Sequence, residues 1–570
     1  MAAQTREASF ADLYTPKLVT VLREGYRLAD LKPDIVAGLT VAIVALPLSM
    51  AIAIASGVTP DRGLYASIVG GFIVSALGGS RFQIGGPAGA FIVLVAATVA
   101  RHGVDGLMLA TMMSGVFLLL IGLLRLGTFI KYLPYPVTVG FTSGIAVIIF
   151  SSQIKDLFGL TLDHEPGPLL PKLEALAGAM PTLNPAALGV ALGSIAVIIA
   201  VRRLRPHWPA FLIAVAVASV AALLLHLPVE TIGTRFGGIP QSLPLPHLPP
   251  ISLDLMVDLL PDAIAFTLLG GIESLLSAVV ADSMTGRRHR SNSELVAQGV
   301  ANIVTPLFGG ICVTGTIART ATNVRAGARG PIAGMLHSAF LLVFILVAAP
   351  LASYIPLSAL AAVLAVVCWN MAEKHQFATL VRASWGDALV LLATFLLVVF
   401  RDLTEGILAG FIIGTLLFVH RMAQTVEIES GRPLAQADLA DAPDGARERY
   451  DTAVATDEDV VLCRISGAFF FGAAASVGAV LDRIGAHPKA YVIDFAAVPI
   501  LDSTGAATVE GFVGKARRAG ARVFVSGARP SVRRVLLAHG VRMPEVVFEN
   551  DAETALAAAH AAARGEAVAT

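Results

Sequence analysis

Apolar stretches long enough to cross a bilayer recur through the first three quarters of the chain and stop near Val419. A spanning helix needs about 18 or more predominantly apolar residues. Runs of that kind, or close to it, fall near 35–56, 64–78, 106–124, 137–154, 186–201, 209–226, 331–349, 357–371, 387–400 and 405–419. One more, from about Ala263 to Ala281, carries a single acid, Glu273. Two gaps between the runs are themselves informative. Gly85-Gly86-Pro87-Ala88-Gly89-Ala90 precedes a short apolar stretch from Phe91 to Ala100, and Gly309-Gly310-Ile311-Cys312-Val313-Thr314-Gly315-Thr316 precedes a short helical candidate around Ile317 to Val324. Gly/Pro-interrupted short segments at corresponding places of two halves predict inverted repeats with a site between broken helices.

Beyond Val419 a polar segment rich in Ala, Asp, Arg and Pro runs to about Asp457. Strand patterns at Val460 to Ile465, Tyr491 to Phe495 and Arg522 to Ser526 then alternate with amphipathic helices at Ala474 to Gly485 and Gly505 to Ala519, which predicts a small α/β layer. An Ala-rich tail, Ala555 to Ala563, finishes the last helix. The expected division is a cytoplasmic segment 1–34, a membrane domain 35–425, a linker 426–457 and a soluble domain 458–565.

Composition agrees with this division. The chain is 56% apolar and 14% charged, against roughly 25% charged in soluble domains, and its mean hydropathy is +0.76. Basic and acidic residues balance at 41 each, so net charge gives no reason to expect a nucleic-acid partner. Placement of the basic residues says more, because cytoplasmic loops near span ends are enriched in Lys and Arg. An even span count with both termini in the cytoplasm puts Arg81, Arg125, Lys131, Arg202, Arg203, Arg205, Arg287, Arg288, Arg290, Arg325, Arg329, Lys374 and Arg382 inside. It leaves Arg101, Lys155, Lys172, Arg235 and Arg401 as exceptions. Cys312, Cys368 and Cys463 are odd in number and far apart, and no Cys or His spacing fits zinc, so neither a disulfide framework, a metal nor a cofactor is expected. The first 34 residues lack the short apolar core of a cleaved signal, so the first span is expected to stay in the mature protein.

At each break a helix N-terminus exposes unpaired N–H groups and a partial charge of roughly +0.5. Two such ends facing one another attract an anion, and glycines at 85, 86, 89, 309, 310 and 315 let a ligand approach the backbone. The same glycines also suit close helix packing in a membrane. Glu273, within Leu268-Leu269-Gly270-Gly271-Ile272-Glu273-Ser274-Leu275-Leu276-Ser277, reads as an ion-pathway or proton-relay residue, or as a structural carboxyl paired with Arg319. Arg319 either lends positive charge to an anion site or serves as the counter-ion of Glu273. Gln83, Ser49 and Ser277 are polar residues able to face the same cavity, Pro47 marks a kink in the first span, and Asp387 is interfacial.

These segments, in order, resemble the SulP family of anion transporters over nearly the whole chain. They are Asp34-Ile35-Val36-Ala37-Gly38-Leu39-Thr40, Leu46-Pro47-Leu48-Ser49-Met50-Ala51, Gly85 to Phe91, Leu133 to Gly144, Glu273-Ser274-Leu275-Leu276, Asn302, Phe308-Gly309-Gly310 and Ala318 to Asn323. The resemblance implies a polytopic α-helical membrane protein of 14 spans, built as 7+7 inverted repeats with two broken helices. A core would move against a gate, with the site between the third and tenth helices. Gln83, Ala88, Gly89, Ala90, Phe91, Gly315, Thr316, Ile317 and Arg319 are then expected to hold a small anion, and Glu273 with Ser277 to couple a proton. Sodium-coupled bicarbonate members pair an Asp with a Thr where this chain has Glu273 and Ser277, and Ile317 stands where a hydroxyl would help hold sodium. Proton symport is therefore preferred, with sulfate ranked first by family association and bicarbonate or a C4 dicarboxylate as alternatives.

The soluble part resembles a cytoplasmic α/β STAS domain, with Val492-Ile493-Asp494-Phe495 as its central strand and Leu501-Asp502-Ser503-Thr504-Gly505 opening a helix. In regulatory relatives a hydroxyl in that turn is phosphorylated, here Ser503 or Thr504; docking of a cytoplasmic partner or dimerisation is the alternative. The whole resemblance implies an elevator-like transporter in the inner (plasma) membrane, present as a homodimer and holding no catalytic residues. A STAS-based sensor and a channel-like conductance are the readings of other classes.

Overall fold

A computed structural model describes residues 13–127, 134–162, 166–206, 208–401, 403–430, 459–471, 474 and 488–565. Lys131, Leu133, most of the expected linker 426–457 and most of the helix expected over 474–485 lie outside them. The chain forms two compact units, divided after Ile412.

In the first unit, the leading apolar run forms α1 (Leu28–Ala55), which continues through Pro33 and Pro47. The next run is not one helix. It divides into α2 (Pro60–Tyr65), a π-helical turn (Ala66–Gly70) and α3 (Gly71–Leu77). The two-residue strand β1 (Gly85–Gly86) follows, then a 3₁₀ turn (Gly89–Phe91) and α4 (Ile92–Leu123). Gly103 interrupts α4 with φ 67°, so its two parts correspond to the short stretch ending at Ala100 and the run at 106–124. Then come α5 (Tyr135–Phe158), closed by Gly159 in the left-handed region, α6 (Pro185–Leu204), capped by the Asn184 side chain, and α7 (Ala210–Leu224).

The order repeats in the second half. The long α8 (Leu260–Thr285) leads to α9 (Ser291–Val304), a 3₁₀ turn (Thr305–Phe308), strand β2 (Thr314–Gly315) and α10 (Ile317–Arg325). Helices α11 (Ile332–Ala352), α12 (Leu357–Met371), α13 (Trp385–Phe400) and α14 (Leu403–Gln424), within which the division between the units falls, complete the apolar set. β1 and β2 pair antiparallel, Gly85 opposite Gly315 and Gly86 opposite Thr314. Corresponding strands of the two halves thus run in opposite directions, as inverted repeats require.

Among the described residues, eight helices are long and apolar enough to span a membrane, and α7 and α13 are shorter apolar helices. By this criterion α4, interrupted at Gly103, counts once, and α2, α3, α9 and α10, each shorter than a bilayer is thick, do not count. Small residues let the backbones meet where the halves interlock: a Cβ on Gly115 of α4 would lie 2.7 Å from the Gly299 carbonyl of α9, and one on Gly299 at 2.7 Å from the Gly115 carbonyl.

The second unit is a five-stranded sheet in the order β3-β4-β5-β6-β7, with β3 (Glu427–Ser430) antiparallel to β4 (Val460–Ser466). β5 (Ala490–Ala497), β6 (Arg522–Ser526) and β7 (Val546–Glu549) continue it in parallel. Alternation along β4 sends Cys463 and Ile465 to one face, packed with Val509 and Phe512 of α15 (Ser503–Arg518) and Leu536 of α16 (Pro530–Ala538). Val460 and Leu462 point to the other face, against Ala555 and Ala559 of α17 (Ala552–Ala563). β3 and β7 were not expected from the sequence; each has four residues, too few for a clear alternation, and β3 falls where a linker was expected.

Candidate functional site

The two breaks converge. Because β1 and β2 are hydrogen-bonded side by side, the turn at Ala88 and the turn at Thr316 open from the ends of one miniature sheet. Neither residue's side chain caps its helix, and the Thr316 hydroxyl instead donates to the Ile84 carbonyl at 3.2 Å. A cavity of about 780 Å³ lies in front of both turns. Its wall includes Pro87, Ala88, Gly89 and Ala90 from the first break and Thr316, Ile317, Ala318 and Arg319 from the second. Leu48 and Ile52 of α1, Thr138, Phe141 and Thr142 of α5, and Ile272, Glu273 and Leu276 of α8 close it. Arg202, Arg325 and Glu373 also line it, but the wall is chiefly apolar, so the N–H ends, Arg319 and Glu273 act in surroundings where electrostatic attraction is poorly screened.

Arg319 is 1% exposed and lies behind the first break. Its Nη1 donates to Ser67 Oγ at 3.2 Å, and its Nη2 donates to Ser49 Oγ at 3.1 Å and to the Pro87 carbonyl at 3.3 Å. Ser49 and Ser67 are bonded to each other at 2.8 Å. The approach needs a glycine: a Cβ on Gly86 would sit 2.2 Å from Nη1. Among the described residues no carboxylate lies within ion-pair distance of this guanidinium, and Glu273 is the acid whose charge acts on it through space.

Glu273 is half-buried in the cavity wall, and its Oε2 is fully buried without a hydrogen-bond partner. No ion pair joins it to Arg319 among the described residues. The hydrogen bonds of Arg319 go to the first break, to the π-helical turn and to α1, while its charge and that of Glu273 also act on each other, so both readings of Arg319 stand.

The remaining expected residues lie behind the cavity rather than along it. Phe91 packs edge-on against Phe266, with centroids 5.9 Å apart. Gly315 carries Gln83 on its face, since a Cβ there would meet Gln83 Nε2 at 1.8 Å. Gln83 Nε2 donates to the Ser274 carbonyl at 3.0 Å. Ser277 Oγ donates to Thr320 Oγ1 at 3.0 Å, and that same oxygen accepts from Ile84 N at 3.1 Å. Asn302 fixes Val313 ahead of the second break: its Nδ2 donates to the Val313 carbonyl at 2.7 Å, and its Oδ1 accepts from Val313 N at 2.8 Å. Asp34 accepts from the backbone N–H groups of Arg329 and Gly330 and from Tyr26.

Sequence reasoning missed Glu294. It is fully buried, and it accepts from Gly79 N, Ser80 N, Gln83 Nε2 and Gln298 Nε2 at 2.9 to 3.1 Å. The available signal was an acid in the first turn of a helix that follows the Arg287-Arg288-His289-Arg290 loop. Nothing local distinguishes it from a solvated one.

In the second unit, Asp502 caps α15 through Gly505 N (2.8 Å) and also accepts from Phe471 N (2.9 Å). Ser503 and Thr504 are exposed in the first turn of that helix. The buried Asp494 accepts from Arg464 Nε at 3.1 Å and Ser526 Oγ at 3.2 Å. Cys312, Cys368 and Cys463 are buried and unpaired.

Comparison with known proteins supplies the family. The profile of the sulfate permease family matches residues 31–394, and that of the STAS domain matches residues 451–553. The chain is 37% identical over 516 residues to YvdB of Bacillus subtilis (strain 168), provisionally named a sulfate transporter, with 90% of this chain and 94% of the relative covered. It is 30% identical over 531 residues to the bicarbonate transporter BicA of Picosynechococcus sp. (strain ATCC 27264 / PCC 7002 / PR-6), covering 89% and 90%. The solved transmembrane domain of a cyanobacterium bicarbonate transporter BicA superposes with a TM-score of 0.61 at 31% identity, over 68% of this chain and 98% of that one. The overall structure of SLC26A9 shares the fold, at a TM-score of 0.83 and 18% identity over 99% and 98%. The chain belongs to the sulfate permease family, as a multi-pass membrane transporter with a C-terminal STAS domain.

Proposed function

We propose that this protein is a secondary active transporter that takes up sulfate with a proton, by an elevator-like movement of the site between two gates. One observation carries the reading: two uncapped helix N-termini open from a shared strand pair onto one cavity that also holds Arg319 and Glu273. A dianion between the turns meets backbone N–H donors on two sides and the fixed charge of Arg319 behind the first. Of the two acids in that wall, Glu273 and Glu373, Glu273 is assigned the proton, because its buried oxygen has no hydrogen-bond partner and an intramembrane acid marks an ion pathway. A proton on Glu273 offsets part of the charge moved with the anion. Ser277 supports this arrangement from α8 through Thr320, and Gln83, Phe91 and Gly315 support it from behind.

Bicarbonate is the second reading, favoured by the BicA relative; the same N–H-lined site accommodates a planar oxyanion, and a C4 dicarboxylate carries the same terminal group. Proton coupling is preferred to sodium because Ile317 offers no hydroxyl to a cation. The STAS unit is the regulatory part, with Ser503 or Thr504 as the phosphorylated position: both are exposed where a helix N-terminus favours a phosphate. The working form is a homodimer in the plasma membrane, with both termini in the cytoplasm.

The test is uptake of labelled sulfate, bicarbonate and fumarate into proteoliposomes under an imposed pH gradient and, separately, a sodium gradient. Sulfate accumulation driven by the pH gradient is the expected result. Accumulation driven only by sodium overturns the coupling assignment, and loss of all three fluxes overturns the transport reading.

A further inference from the structure

Glu294 is a buried charge that neither the cavity wall nor the proton step uses. It is 0% exposed, and among the described residues no Lys, Arg or His pairs with it. Its four partners are all N–H donors. Oε2 accepts from Gly79 N at 2.9 Å and Ser80 N at 3.1 Å, and Oε1 accepts from Gln83 Nε2 and Gln298 Nε2 at 3.0 Å each. The loop entering the first break is drawn tightly onto α9 to make these bonds: a Cβ on Gly79 would lie 2.1 Å from the Arg290 carbonyl. Gln83 carries the connection onward. The same Nε2 donates to the carbonyl of Ser274, the residue after Glu273. The amide also occupies the face of Gly315, whose N–H in turn donates to Ser274 Oγ at 3.1 Å. One side chain therefore touches the acid of α9, the α8 backbone beside Glu273, and the strand that leads into α10.

We propose that Glu294 is the positioning residue of the transport site. By fixing Gln83 it sets the placement of β2 and of the first turn of α10 relative to β1 and to Glu273, without touching the anion. This inference rests on the reading that the anion binds between the two breaks. The carboxylate suits the role because it alone presents acceptors to four converging donors; a neutral amide of the same shape turns an N–H toward one of those pairs and leaves a donor facing a donor.

The experiment compares labelled-sulfate uptake by the full-length protein and its variants in proteoliposomes. Glu294→Gln is expected to raise the half-saturating sulfate concentration by about tenfold or more, with a smaller change in maximal rate. Glu294→Asp, which keeps the acceptors on a shorter arm, should fall between Glu294→Gln and the parent. Gln83→Met is the second variant, since it removes the donor while leaving the Gly79 and Ser80 contacts to Glu294 in place; it should shift half-saturation as Glu294→Gln does. Parent-like half-saturation in both Glu294→Gln and Gln83→Met overturns the proposal. If Glu294→Gln fails to fold, Gln83→Met decides alone. Gly89→Val tests the underlying site: a Cβ at Gly89 meets nothing closer than 3.9 Å, so the side chain grows into the cavity and should abolish uptake. Unchanged uptake with Gly89→Val overturns the site and the positioning role together. Loss of uptake there, with parent-like Glu294→Gln and Gln83→Met, overturns only the positioning role.

Discussion

Replacing Gly86 by alanine should separate the fixed charge of the site from its surroundings. The added Cβ would fall 2.2 Å from Arg319 Nη1 and 3.1 Å from Ser67 Oγ. Heavy atoms settle at about 3.5–4.0 Å, so the guanidinium must retreat by about 1 Å or more. That distance takes Nη1 out of reach of Ser67, now 3.2 Å away, and loosens the Nη2 contacts to Ser49 and Pro87. A hydrogen bond to a charged group is worth about 1.5–3 kcal/mol, and each ~1.4 kcal/mol is tenfold in affinity. The half-saturating sulfate concentration should therefore rise about 10- to 100-fold. Gly89→Ala is the control for stability, because its new methyl makes only ordinary contacts, at 3.9 Å, with Ile149 and Met371. The assay is initial-rate uptake in proteoliposomes together with the melting temperature of each purified variant. A Gly86→Ala protein with the parent's half-saturation and melting temperature would refute the reasoning that Arg319 is held against the first break.

Arg319→Lys should lower sulfate uptake at least about tenfold without restoring it at higher pH, since one ammonium cannot span Ser49, Ser67 and the Pro87 carbonyl as two guanidinium nitrogens do; parent-like uptake would contradict this. Burial pushes the Cys463 thiol up to about 12, so at pH 8 it stays protonated with a thiolate fraction on the order of 10⁻⁴. A maleimide should leave Cys463 unlabelled in the folded protein at that pH and label it after denaturation, and labelling before unfolding would contradict the burial of β4. Asp502→Ala removes acceptors from Gly505 N and Phe471 N, at a cost of about 1–2 kcal/mol to the start of α15. Amide exchange at residues 505 and 471 should accelerate, and unchanged protection would mean that the cap contributes nothing.

What the sequence discloses follows from the range of the forces involved. The membrane class was legible because hydropathy is local and additive. Both breaks were legible too: Gly85 to Ala90 and Gly309 to Thr316 interrupt apolar runs at matching places, and the helix expected near Ile317 to Val324 is Ile317–Arg325. The pairing of β1 with β2 was not, because a two-residue strand has no period and its partner lies more than two hundred residues away. The same holds for Glu294, whose meaning depends on Gly79, Ser80 and Gln83 arriving from the first half. Gln83 and Ser277 were recognisable as polar residues near the breaks, but only their partners Ser274 and Thr320 show that they face away from the cavity. In the STAS unit the three inner strands could be read as short apolar runs between helical segments, whereas the four-residue edges β3 and β7 could not.

The central claim, that Glu273 carries the proton that drives anion accumulation, is tested most directly with Glu273→Gln in proteoliposomes preloaded with unlabelled sulfate or left empty. Under an imposed pH gradient, the parent should concentrate labelled sulfate, while Glu273→Gln should lose concentrative uptake and keep sulfate–sulfate exchange. Concentrative, pH-driven uptake by Glu273→Gln at the parent's level would contradict the account.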